Sequence, residues 1–429
     1  MLKRINVSDV ELGMFVHKLE GSWFKHPFWR SRFLLQDSDL LDDLHASDVE
    51  AVVIDISKGY DVRPMPKPPE PGPGLRLAKP QLRPRMQTRM QTASVSASQT
   101  PDFRSTAPNS MGREFGMAKQ VAGKSRKVIS RVFLESRLGK SIKASYVEPV
   151  IEDIFASVQR NPHAFNGLMR CKRDNEYIYR HALAVSALMI SLGRQMKLAP
   201  DTIRQAGMAG LLMDVGIGML PVDLSQYGGD YRNLDASVLN QHILLGYDFL
   251  DAGGGMSAAV LDVVLNHHEL MDGTGYPNRL SGERIDLLSR MASICDGYDS
   301  MVSDTADGSG MDPASSLQQM TMMKGWYDPE ILARFVETLG VYPIGSVVML
   351  RSDRLAMVVA QDPSDYTRPR VKPFFTNLTG KFIRADEIAL ASCYGHDEIV
   401  ETVEPSDFGI EDFPRIRERL FENAHKGGA

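Results

Sequence analysis

His267-His268-Glu269-Leu270-Met271-Asp272-Gly273-Thr274-Gly275-Tyr276-Pro277 is the stretch on which the reading of this chain turns. It follows the apolar run Val260–Leu265, so two adjacent imidazoles stand where a buried helix face ends. Neutral imidazole is the commonest transition-metal ligand. Gly275-Tyr276-Pro277 reads as a rigid turn, with Gly at a positive φ and Pro fixing the exit. Taken alone, such a turn says only that the chain bends.

Elsewhere in the chain, other polar residues interrupt apolar helical faces. His181 lies on the stripe of Val185, Leu188, Met189 and Leu192 within an expected helix Tyr177–Met196. Asp214 sits inside Ala209–Gly216, a segment otherwise fit for a core, and His242 precedes Ile243-Leu244-Leu245. Asp296 follows Met291–Cys295. A buried carboxylate is costly unless paired or metal-bound. Four histidines and two aspartates on separate helices fit a mixed N/O site for iron, manganese, zinc or nickel. A single histidine on an apolar face is more often a hydrogen-bonded core residue, so spacing alone leaves both readings open.

Around this centre the 429 residues divide by texture. Residues 1–60 read as a small α/β module with strand-like runs at Gly13–Val16, Phe33–Leu35 and Ala51–Ile54 and a helix over Ser38–Leu44. Residues 61–112 hold ten of the 24 prolines and cannot bury enough apolar surface to offset their ordering entropy, which predicts a disordered linker. Residues 113–340 carry the helical period throughout, with further helices expected at 201–214, 235–251, 256–268, 286–304, 313–323 and 328–339. Residues 341–429 read as a β-rich extension, with a hairpin turn at Ser352-Asp353-Arg354. The predicted fold is mainly α: a helical bundle between a small mixed module and a small β-rich tail.

Composition narrows the function. At 43% hydrophobic and 24% charged the chain matches an ordinary globular protein. No apolar stretch approaches the 18 or so residues of a membrane span, and the N-terminus lacks a signal-like apolar core. Cys171, Cys295 and Cys393 form no CxxC pair, a reduced, cytoplasmic pattern that excludes iron–sulfur and zinc-ribbon readings. The net charge of −5 conceals a surplus of 12 positive charges between Asp61 and Ser145. That segment is either a solvated linker or a contact for polyanions, nucleic acid or an anionic membrane surface.

The eleven-residue stretch resembles the HHExxDGxGYP signature of the HD-GYP domain, a branch of the HD superfamily of metal-dependent phosphohydrolases. Tyr177–His181 is similar to that family's first ligand helix and Leu339–Ser346 to its characteristic end. Residues 1–60 resemble the uncharacterised domain that often precedes HD-GYP domains in bacterial proteins. The resemblance implies a helical bundle holding two or three divalent ions, iron or manganese, that hydrolyses cyclic di-GMP. By motif, His181, Asp214 and Asp296 would serve the first ion. Asp214 would bridge to a second held by His242, His267 and His268. Asp272, Gly273, Gly275, Tyr276 and Pro277 would form the motif turn.

Departures from the family pattern set the remaining expectations. Met213 and Ile217 stand where the family has a histidine and a phosphate-binding lysine, and Tyr177 stands where a third ion would find a glutamate. From Met291 to Met323 there is no Lys or Arg, while aspartates occupy positions 296, 299, 304, 307 and 312. The expectation is therefore a degenerate centre with fewer ions than in active relatives, weakly active or inactive, in a bacterial signalling protein that senses cyclic di-GMP or contacts protein partners. The rivals are an active phosphodiesterase and a nucleic-acid or membrane-surface adaptor acting through residues 61–145.

Overall fold

Apolar residues at every second position, as in Ile5, Val52 and Ile54, need one shared buried face, and the N-terminal segment supplies it with a sheet. The structure is a computed structural model. It describes residues 2–21, 33–35, 41, 45, 49–60, 109–171, 177–224, 230–304, 310–362, 365–384, 386–393, 397–422 and 424. The chain divides into two units, Met1–Ser105 and Thr106–Ala429. The expected linker up to residue 108 and most of the expected helix Ser38–Leu44 lie outside the described residues.

In the first unit β1 (Leu2–Asn6), β2 (Phe15–Gly21), β3 (Phe33–Leu34) and β4 (Val49–Asp55) form an antiparallel sheet in the order β1-β4-β2-β3. Ile5 pairs with Val52 across β1 and β4, and Met14, Val16, Leu35 and Ile54 complete a small core.

The second unit is mainly helical. It opens with α1 (Met111–Arg137) and α2 (Ala144–Arg160), then α3 (Ala164–Met169), α4 (Tyr177–Gln195) and α5 (Pro200–Leu212). Next come α6 (Ala236–Leu239), α7 (Gln241–Gly253), α8 (Ala258–Asn266) and α9 (Leu287–Val302), followed by α10 (Pro313–Met322) and α11 (Pro329–Leu339). Aspartates start four of them, Asp235 capping α6 by accepting from Ser237 N. Asp286, Asp312 and Asp328 accept from the first free N–H groups of α9, α10 and α11, and Pro313 and Pro329 open the last two helices. Buried Glu114 on α1 takes both Arg160 Nε and Nη2 at 2.8 Å and Ser157 Oγ at 2.9 Å, clasping α1 to α2.

Beyond Gly340, β5 (Val347–Leu350), β6 (Arg354–Ala360), β7 (Arg370–Thr376), β8 (Lys381–Phe382) and β10 (Ile399–Thr402) form an antiparallel sheet in the order β10-β5-β6-β7-β8, with β9 (Ile388–Ala389) on β7. Asp353 turns the β5–β6 hairpin at φ 57°. Both faces of its centre are buried. Val347, Met349, Leu355 and Met357 join the helical core, whereas Val348, Leu350, Ala356 and Val358 pack with Val371 and Leu390. The β-rich extension thus shares the helical core. It also ends in a helix absent from the sequence reading, α12 (Phe413–Glu422), whose Phe421 stacks on Phe115 of α1 at 5.1 Å. Among the described residues no helix is long and apolar enough to cross a membrane.

Candidate metal centre

Five helices deliver the polar residues to one place. His181 lies one turn into α4 with no exposed surface, and Asp214 follows α5 immediately before the one-turn 3-10 helix Val215–Met219. The expected helix 235–251 is divided into α6 and α7, and His242 is the second residue of α7. Helix α8 stops at Asn266 rather than running through 268. His267, the C-cap, keeps helical φ and ψ and still donates its N–H to Val263 O, and its ring and that of His268 lie 4.1 Å apart between centroids. Asp296 and Asp299 come from α9.

Asp214 stands at the centre, with its two oxygens serving different sides. Oδ1 lies 3.5 Å from His242 Nε2 and 3.6 Å from His267 Nε2, and those two nitrogens face each other at 3.4 Å. Oδ2 lies 3.3 Å from His181 Nε2, which is also 3.1 Å from Asp296 Oδ1. His268 Nδ1 is 3.7 Å from Asp296 Oδ2. Asp214, His242, His267 and His268 each offer one donor atom within 4.8 Å of the others, a cluster compatible with a divalent ion.

The other ring nitrogens are already committed. His242 Nδ1 meets Leu239 O at 2.6 Å, and His267 Nδ1 meets Val263 O at 3.1 Å and Val264 O at 3.2 Å. His181 Nδ1 meets Asp299 Oδ2 at 2.8 Å. A ring that donates from Nδ1 presents its lone pair at Nε2, as a metal ligand does. His181 Nε2 is buried and makes no hydrogen bond despite its two carboxylate neighbours. The residues therefore fit a metal group: bare nitrogens and carboxylate oxygens converge on a space that only positive charge can satisfy.

The acidities agree with that demand. Burial works against the charged form of Asp214, but His181 and His267 beside it hold its pKa well below the usual carboxylate range. Burial likewise opposes a proton on His181 and His267. Tyr177 and the surrounding carboxylates outweigh it at His181, and Asp214 does so at His267, so both pKa values rise. Burial depresses His242, and burial with His267 nearby takes His268 down to about 3, leaving both as neutral donors. A cation entering here would displace protons from His181 and His267.

The motif turn borders the cluster. The Tyr276 ring stacks on His268 at 4.8 Å between centroids. Asp272 is exposed and accepts from Thr274 N at 2.9 Å and Thr274 Oγ1 at 2.6 Å. The positive φ belongs to Gly273, at 78°, rather than to Gly275. Gly275 is required for a different reason, since a Cβ there would strike the backbone of Leu270 and His268. Glu269 is buried and accepts from Asn278 N at 2.6 Å and Leu280 N at 3.0 Å, so it anchors the loop that carries Tyr276 and Pro277.

A family described as HD domain matches residues 157–331, and a domain of unknown function (DUF3391) matches residues 2–147. The chain is 37% identical over 377 residues to the cyclic di-GMP phosphodiesterase PA4108 of Pseudomonas aeruginosa, spanning 88% of this chain and 86% of that protein. This chain belongs to the HD-GYP branch of the HD-domain family. Another relative, the cyclic di-GMP phosphodiesterase PdeB of Borreliella burgdorferi, is 22% identical over 50% of the HD-GYP chain and 56% of its own length. Among solved structures, the HDG"Y"P protein Bd1817 of Bdellovibrio bacteriovorus has a TM-score of 0.44 at 15% identity, covering 79% of this chain and 99% of that one.

The expectation of a degenerate, weakly active centre is overturned. The clustered donors are histidines and an aspartate, complete without positions 213 and 217, and the chain aligns along most of its length with a phosphodiesterase. Ile217 packs in the apolar core, and Met213 is buried with 1% of its surface exposed, so neither marks a gap in the donor set. Four of the five aspartates of the expected acidic wall have partners within the fold. Asp296 and Asp299 face His181, Asp304 Oδ1 accepts from Gly310 N, and Asp312 caps α10. Asp307 lies outside the described residues. The sequence reading missed Asp299 as a partner of His181, although its position three residues after Asp296 on one helix carries the signal. It also missed Tyr231, whose hydroxyl donates to Asp214 Oδ2 at 3.1 Å. No periodic pattern points to that residue.

Proposed function

We propose that this chain is an active metal-dependent phosphodiesterase that hydrolyses cyclic di-GMP in bacterial signalling. The supporting observation is the convergence of Asp214, His242, His267 and His268, each with one donor atom within 4.8 Å of the others. The phosphodiesterase relative that matches 88% of the chain supports the substrate. We infer that the tetrad holds one ion tightly, iron or manganese, which suit nitrogen–oxygen donors of this kind. His181, Asp296 and Asp214 Oδ2 offer a weaker, three-donor position beside it. Bound divalent ions supply the Lewis acidity that makes water a nucleophile at neutral pH and offsets charge on phosphoryl oxygens.

The chain's own residues do the rest. Asp214 joins the two donor sets, while Asp299 holds the His181 ring in the tautomer that leaves Nε2 bare. Tyr276 backs the His268 ring, and Glu269 fixes the loop from which Tyr276 projects. Purified chain loaded with manganese should convert cyclic di-GMP to the linear dinucleotide, read by chromatography. His242→Ala and His267→Ala should each abolish the conversion. Full conversion by either variant would remove the tetrad from the reaction.

A further inference from the structure

We propose that Tyr231 is the positioning residue of this centre: its phenol fixes the rotation of the Asp214 carboxylate and so decides which oxygen faces which donor set. The inference rests on the metal centre proposed above and adds to it a residue from outside the family motifs. Asp214 Oδ1 faces the His242 and His267 nitrogens, and Oδ2 accepts from Tyr231 Oη at 3.1 Å. A carboxylate has a broad, two-fold torsion about its last bond. His181 Nε2, the other neighbour of Oδ2, lies farther off at 3.3 Å and sits closer to Asp296 Oδ1, at 3.1 Å. The tyrosine therefore supplies the directional contact that keeps Oδ1 on the tetrad side.

The rest of the segment is built to hold that hydroxyl still. The Tyr231 ring is buried and packs on Tyr177 at 5.3 Å between centroids, with its edge toward His181 at 6.3 Å. Arg232 pairs with Asp230 at 2.6 Å and lies 3.9 Å over the Tyr177 ring. The same guanidinium donates to Ser300 O, Ser303 O and Asp304 O at 3.0, 3.3 and 2.9 Å. It thereby ties the segment to the end of α9, the helix that bears Asp296 and Asp299. Such outer contacts to a ligating carboxylate are typically worth about ten- to a hundredfold in metal affinity.

Titration of the metal-free full chain with Mn2+, followed by electron paramagnetic resonance of the free ion, tests this without any turnover. Tyr231→Phe keeps the ring and removes the donor, and its affinity should fall about tenfold or more. Tyr298→Phe removes another buried phenol, which lies on the same helix as Asp296 and packs edge-on against Phe335 of α11, and should leave affinity within about twofold. Equal affinity in wild type and a folded Tyr231→Phe, or equal losses in both variants, would overturn the proposal. Should Tyr231→Phe not fold, Arg232→Lys keeps the charge but loses the three-carbonyl grip, and it must weaken Mn2+ binding for the proposal to survive. A wild-type chain that binds no Mn2+ would overturn the proposed metal centre and this inference together, which separates that failure from one confined to Tyr231.

Discussion

His163 shows how much one half-buried side chain can reveal about pH. Burial alone takes its pKa down to about 4. The unfolded chain therefore takes up the proton first as pH falls, so the stability tied to a neutral His163 is complete above its usual pKa and is lost on the way down to about 4. The shift sets an upper bound of roughly 3 kcal/mol on that loss. His163→Gln should flatten this part of the profile, measured as urea unfolding at about pH 7 and about pH 4.5. Identical pH dependence in both proteins would contradict the assignment. The same scale explains what the sequence could and could not show at the centre. His181, Asp214, His242, His267, His268 and Asp296 stood out because each breaks an apolar face, and the structure brings all six together. Met213 and Ile217 misled because a position was judged by the residue it lacks, whereas both side chains belong to the buried interior. The aspartates misled because sign was legible and partners were not.

Among elements, periodicity located the helices well and their ends poorly. Helix α8 ends two residues before the sequence reading placed it, with His267 as its C-cap and His268 just beyond. The sequence reading stopped at strand texture in the C-terminal region and left α12 unassigned, since its composition is largely charged and its buried residues are Phe413 and Phe421. Its value lies in packing. Phe421 has no exposed surface, stacks on Phe115 and meets Gly167 of α3, while Glu418 pairs with Lys119 at 2.6 Å. The exposed ion pair adds little. Phe421→Ala should destabilise the second unit by about 3–5 kcal/mol through the cavity it leaves. A shift of the urea midpoint equivalent to less than about 1 kcal/mol would show α12 to be peripheral.

At the scale of the molecule, every donor of the centre lies in Thr106–Ala429, and the N-terminal sheet has a core of its own. A chain cut back to residues 106–429 should therefore bind Mn2+ within about twofold of the full chain in the same titration, since no donor has been removed. A loss of tenfold or more would assign the first unit a part in the metal centre. Legibility at this scale was mixed. The alternating sheet and the helical bundle follow from hydrophobic period, but the merging of the β-rich extension into the helical core depends on contacts that no local pattern encodes. Competence of this centre is what the whole molecule has to deliver. Its most direct test is the initial rate of cyclic di-GMP cleavage as a function of Mn2+ bound per chain, in wild type and Asp214→Ala. A competent centre gives a rate that rises with loading and saturates as the tetrad fills, with no turnover from the variant. No cleavage by fully loaded wild type, or equal cleavage by Asp214→Ala, would contradict it.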